Sequence, residues 1–129
     1  MIHAIRSTLQ RNFLSGIVLL ALSLFALPAL SEPVVRIVVF TAAGAEQQKE
    51  LQKVAPAKLY TSAKGCQWVK FFQDTKTLET GSVSLWASQA DLDAFLNSDA
   101  YKSLFAAKVK PLTKGDVSAK VFTVVEPTK

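Results

Sequence analysis

The sequence predicts an α+β domain: one four-stranded, mainly antiparallel sheet with its helices on a single face. Three observations lead there. Apolar, β-branched runs at 34–40 and 116–126 stand at the two ends of the domain as its first and last strands. Two further runs, 66–74 and 81–87, alternate in polarity and are joined by a short polar segment, as in a hairpin. Apolar residues at helical spacing fill both remaining intervals. The order is therefore β-α-β-β-α-α-β, the ferredoxin-like layout.

"VVRIVVF" (34–40) is almost continuously apolar, as expected of a strand covered on both faces. A helix is expected from near Gly44, with Leu51, Val54, Ala55 and Leu59 on its apolar side. Pro56 should kink or end it, because proline removes one helical N–H and crowds the preceding turn. A short continuation leads to Gly65, a C-terminal stop. In "CQWVKFFQD" (66–74), Cys66, Trp68, Lys70 and Phe72 alternate with Gln67, Val69, Phe71 and Gln73. After the polar turn "TKTLET", "GSVSLWA" (81–87) places Val83, Leu85 and Ala87 opposite Ser84 and Trp86.

Ser88 offers its hydroxyl to the next helix, with Asp91 at the third helical position in an Asp version of the capping box. Leu92, Phe95 and Leu96 form that helix's apolar face. Ser98 caps a second helix, with Asp99 in the first turn, where the helix dipole favours an anion. Its stripe is Tyr101, Leu104, Phe105 and Val109, and it stops before Pro111. "DVSAKVFTVVE" (116–126) is the final strand.

Helices on one face leave the other face of the sheet bare, although both faces of the first and last strands are apolar: Val34, Val38 and Phe40 against Val35, Ile37 and Val39, and Phe122 and Val124 against Val117, Val121 and Val125. Such a face needs a cover and the chain has no spare element. A second copy of the same sheet is the economical cover, so a homodimer packed through its sheet faces is expected.

Ahead of the domain, Arg6 and Arg11 precede an uncharged apolar run from Phe13 to Leu27, then Pro28 and "ALS" at 29–31. This is the pattern of a secretory signal peptide cleaved after Ser31. It implies export to a periplasm, a lumen or the medium, with residues 32–129 as one domain. Uncleaved, the segment would be an N-terminal membrane anchor, the one membrane contact expected. The formal net charge of +5 owes part of its excess to those two arginines. The remaining lysines are dispersed, so nucleic-acid binding is not expected. The single cysteine excludes an intrachain disulfide, and the single histidine, His3, leaves with the signal. Cys/His zinc sites, His-ligated haem and a histidine-based triad are thereby excluded from residues 32–129, and no metal is expected.

The candidates for chemistry are mainly aromatic. Trp86 either fills the core beneath Phe95 and Phe105 or forms the wall of a site for a flat ring. Trp68 is a second candidate wall, followed by Phe40, Tyr60, Tyr101 and Phe122. Tyr60 and Tyr101 are the two phenols of the chain, either of which could bond a substrate oxygen. Tyr101 is expected to lie partly exposed, its hydroxyl in water. Cys66 reads as a small buried apolar residue. Arg36, the one arginine after Ser31, lies inside an apolar strand. It should pair with a carboxylate across the sheet or dimer seam, or else hold an anionic ligand. Asp91, Asp93 and Asp99 are accounted for by helix capping and solvation.

Two stretches, "KGCQWVKFF" (64–72) and "LWASQADLDAFLNSDAYKSL" (85–104), resemble the antibiotic biosynthesis monooxygenase family of the dimeric α/β-barrel superfamily. The resemblance runs from Val34 to about Val125. It implies a dimeric α/β barrel and oxidation of quinols or anthrone-like aromatics by molecular oxygen without metal or flavin. The candidate pocket for such a ring is Trp86, Trp68, Phe40, Phe95 and Phe105, with Trp86, Tyr60 and Tyr101 as candidates for the catalytic role. A related branch degrades haem with an Asn on the first strand, a Trp on the third and a His on the next helix. Trp86 matches the Trp, but Phe95 stands near the His position and the first strand has no Asn. Haem binding would need Cys66 or a tyrosine as ligand. A non-catalytic dimeric module for a small apolar ligand is the alternative function.

Overall fold

The computed structural model describes Ser31–Lys129; apart from Ser31, the expected signal segment lies outside the described residues. Strand β1 (Val34–Ala42) leads into α1 (Ala45–Val54) and the short α2 (Ala57–Thr61). A hairpin of β2 (Cys66–Gln73) and β3 (Glu79–Trp86) follows, then α3 (Gln89–Leu96) and α4 (Asp99–Leu104). A π turn (Phe105–Val109) and a 3-10 turn (Lys110–Leu112) lead to β4 (Thr113–Thr123). The sheet order is β2-β3-β1-β4 and every neighbouring pair is antiparallel. This is the ferredoxin-like arrangement.

Local chemistry sets the boundaries. Gly44 enters α1 in extended conformation, and the helix ends at Val54, directly before Ala55 and Pro56. Gly65 closes the helical segment at φ 83, a left-handed geometry that favours glycine. Ser88 Oγ accepts the Asp91 N–H at 3.1 Å and Ser98 Oγ accepts the Tyr101 N–H at 3.3 Å. Both serines are N-caps. Gln48, buried in α1, donates to the carbonyls of Asp74 and Glu79 at 3.0 and 3.3 Å, tying the helix to the hairpin end.

Three local expectations shift. The pairing of β2 with β3 slips between Cys66 and Trp68, so Cys66 lies opposite Trp86 while Trp68 lies opposite Leu85. A residue added in a bulge moves every later side chain to the other face, so Cys66 and Trp68 do not share one. The last helical stripe does not stay α-helical: beyond Leu104 the backbone widens into the π turn. Strand β4 starts at Thr113 because Ala42 and Thr41 of β1 supply partners for Thr113 and Lys114. The register slips beside Gly115, whose φ of 70 fits a bulge.

The helix-side face of the sheet consists of rows of paired residues. Trp86 faces Val34, Ser84 faces Arg36, Ser82 faces Val38, and Thr80 faces Phe40. Along β2, Val69 and Phe71 extend the Ser84 and Ser82 rows. The opposite face carries Val35, Ile37 and Val39 beside Val83, Leu85, Trp68, Phe72 and Phe122. Trp68, Phe72 and Phe122 are exposed there.

Candidate functional site

A cavity of about 170 Å³ lies between the helices and the sheet, over the Ser82–Val38 and Thr80–Phe40 rows. Each side of it follows from a local feature. Small residues on the inner face of β3 (Thr80 and Ser82) leave room above the sheet. Val54, Ala55 and Pro56 line it where α1 stops. Tyr101, Leu104, Phe105 and Val109 line it from α4 and the π turn. Phe40 and Phe71 supply apolar wall from β1 and β2. An engineered protein cavity of roughly 150 Å³ takes up benzene, so this space suits one aromatic ring.

The polar groups converge at one end. Tyr60 is 4% exposed and Tyr101 half-buried, and both line the cavity with Ser82. Burial pushes the Tyr60 phenol above its ordinary value and the neighbouring Tyr101 adds to this, while Ser82 and Arg36 pull it down. Arg36, 6% exposed, occupies the next row, about 7 Å along the strand from the row that lines the cavity. Its Nη2 donates to the Tyr101 hydroxyl at 3.2 Å, and its guanidinium carbon lies 5.7 Å from the centre of the Tyr101 ring. Nη1 is buried and has no hydrogen-bond partner among the described residues. The expected carboxylate partner is missing: among the described residues the ion pairs are Lys49–Glu46 and Lys53–Glu50. Residues 1–30 contain no Asp or Glu. A buried charge without a counter-ion costs on the order of several kcal/mol.

Phe40, Phe105, Tyr60 and Tyr101 are thus brought together around one space. Trp86 and Phe95 are not among its walls. Trp86 has no exposed surface; its indole N–H donates to Ser84 Oγ at 2.9 Å and its ring lies 4.9 Å from Phe95. Tyr60 lies between it and the cavity, with its ring 6.3 Å from Trp86 and 4.7 Å from Phe95. Trp68 and Phe122 belong to the outer face, where the alternation of the strands carries them. Tyr101 is partly exposed, as expected, and its hydroxyl accepts from Arg36. The lone thiol of Cys66 is half-buried, and burial pushes its pKa up, away from the reactive thiolate. No group of three His, Cys, Asp or Glu that could hold a metal occurs among the described residues.

Sequence reasoning missed Phe71, Ser82 and Val54 as cavity residues. The available signal was the pair Thr80 and Ser82: small polar residues on the inner face of a strand mark a place where the core is not filled by that strand.

No curated protein sequence matches the chain. Solved structures do. The Rv0793 protein of Mycobacterium tuberculosis superposes with a TM-score of 0.64 at 18% identity, over 75% of this chain and 99% of that one. A conserved protein of Methanosarcina mazei gives 0.64 at 13% identity, over 71% and 92%. SnoaB of Streptomyces nogalater, a cofactor-independent oxygenase, gives 0.60 at 15% identity, over 75% and 97%. At such identities the likeness is one of fold. The family model for antibiotic biosynthesis monooxygenase matches residues 33–107, more than half of the chain, and on that match the chain belongs to this family.

Proposed function

We propose that the protein is an exported, homodimeric, cofactor-independent monooxygenase of one-ring quinol-type aromatics. The observation that carries this reading is the cavity itself: an apolar space of ring size with two phenols at one end. Its volume favours a single-ring quinol over a three-ring anthrone. Phe40, Phe71 and Phe105 would hold the ring, and Tyr60 or Tyr101 would bond its oxygen. The deprotonated quinol is itself the reductant. One oxygen atom of O₂ enters the ring, giving a hydroxyquinone, and the other leaves as water, with all four electrons supplied by the substrate. The protein contributes orientation and a polar corner that favours the anion. The bare apolar face of the sheet supports the homodimer, and the Arg6–Ser31 sequence pattern supports export.

Oxygen uptake by purified protein, with chelator present and one-ring quinols as substrates, tests the reading. The expected rate exceeds that of heat-denatured protein and falls to it in Tyr101→Phe if that hydroxyl holds the substrate. A rate equal to the denatured control for every quinol would contradict turnover. A second reading, ligand capture without turnover, has one observation in its favour: among the described residues no carboxylate or imidazole lines the cavity to serve as a strong base. Quenching of tryptophan fluorescence by quinols without oxygen uptake would select it.

A further inference from the structure

Arg36 is the least explained group in the protein. It is 6% exposed, keeps one guanidinium nitrogen without a partner, and pairs with no carboxylate among the described residues. Among the described residues its side chain donates to Tyr101, a wall of the cavity, and it also pulls down the pKa of Tyr60, a second wall; Arg36 itself is not a wall, although its strand continues into Val38, which is. Folding does not bury a cation in this way for stability, because a neutral side chain of similar volume would remove the desolvation cost. Its placement makes sense if the counter-charge arrives with a ligand. The hydrogen bond to Tyr101 also polarises that phenol, making its O–H a stronger donor towards the cavity.

We infer that Arg36 and Tyr101 form an oxyanion corner, and that the cavity takes its ligand as a monoanion: one aromatic ring bearing a phenolate or carboxylate oxygen. This rests on the cavity being the ligand site, but not on turnover. The guanidinium lies one row outside the cavity walls, so it acts on an oxygen anion by its charge and through the Tyr101 hydroxyl, while the phenyl rings accept the apolar body. Facing Arg36 from α2 and α4, the titratable groups are Tyr60 and Tyr101. Its pairing neighbours on β3 and β4, Ser84 and Val121, do not titrate.

Three probes of one size test this on the purified protein: para-nitrophenol, para-nitrobenzoate and the neutral para-nitroanisole. Binding is read by tryptophan fluorescence, and the charge of bound nitrophenol by its phenolate absorbance across the neutral pH range. The expected result is at least about tenfold tighter binding of one of the anions than of nitroanisole, the ratio that one charge-assisted hydrogen bond supplies. Preference for nitrophenol, with its bound form titrating below its free value, assigns a phenolate; preference for nitrobenzoate assigns a carboxylate. Arg36→Met should bring the anions and nitroanisole to equal affinity, and Arg36→Lys should restore part of the difference. Equal binding of all three probes by the wild-type protein overturns the inference while leaving the cavity as a neutral-ring site. Binding of none overturns both. The wild-type comparison decides even if Arg36→Met does not fold.

Discussion

The two ends of the helix–sheet interface are built from the same layers and filled in opposite ways. At one end Trp86 and Leu92 have no exposed surface, and Val34, Tyr60 and Phe95 close around them. At the other end Phe40, Leu51, Phe105 and Val109 surround about 170 Å³ of open space. The difference comes from strand β3. Its inner face carries an indole at Trp86 but only Ser82 and Thr80 further along. Opposite those small residues, Pro56 follows the end of α1 and the π turn widens the last helix. Arg36 lies between the two regimes, in the row next to Trp86 on one side and Val38 on the other. The filled end holds the fold; the hollow end has space for chemistry.

The sharpest break in this comparison is Trp86→Ala. It should cost about 3–5 kcal/mol in a urea titration, the range for removing a large buried aromatic; loss of ring binding without loss of stability would make Trp86 a site residue. Enlarging the filled end is the next test. Ser84→Val adds volume where none is free and removes the acceptor of the Trp86 N–H. A loss of about 1–3 kcal/mol should appear in thermal unfolding. The matching enlargement at the hollow end, Val54→Phe, should change stability by less than about 1 kcal/mol, because the space accepts what a packed core does not. It should nevertheless weaken ring binding by about tenfold or more in a fluorescence titration.

The smallest effect concerns pH. The folded protein holds the Tyr60 proton more tightly than the unfolded chain, whose phenol titrates at the ordinary 10.0. The stabilisation is therefore complete below pH 10.0 and is lost as pH rises through the higher folded value. Tyr60→Phe should flatten that alkaline decline in denaturant midpoints; an unchanged slope would mean that Tyr60 does not report on the site.

Much of this architecture was legible in the sequence, because periodicity and capping are local. Ser88, Ser98, Pro56 and Gly65 mark helix boundaries through their own backbone chemistry. The slip at Cys66 was not legible, since a bulge is settled by the partner strand and leaves the alternation of "CQWVKFF" intact to the eye. The site was half legible. Aromatic residues on strands and helices announce a core or a pocket equally, so Trp86 and Phe105 looked alike although one end is filled and the other hollow. Arg36 stood out as a charge in an apolar strand, but its lack of a carboxylate partner depends on where distant chain segments fold.

The most direct test of the central claim is a crystal structure of the protein with a one-ring quinol bound under anaerobic conditions. The account predicts the ring among Phe40, Phe71 and Phe105, with an oxygen within hydrogen-bond reach of Tyr60 or Tyr101. A ring seated on the outer sheet face beside Trp68, with the cavity empty, would contradict it.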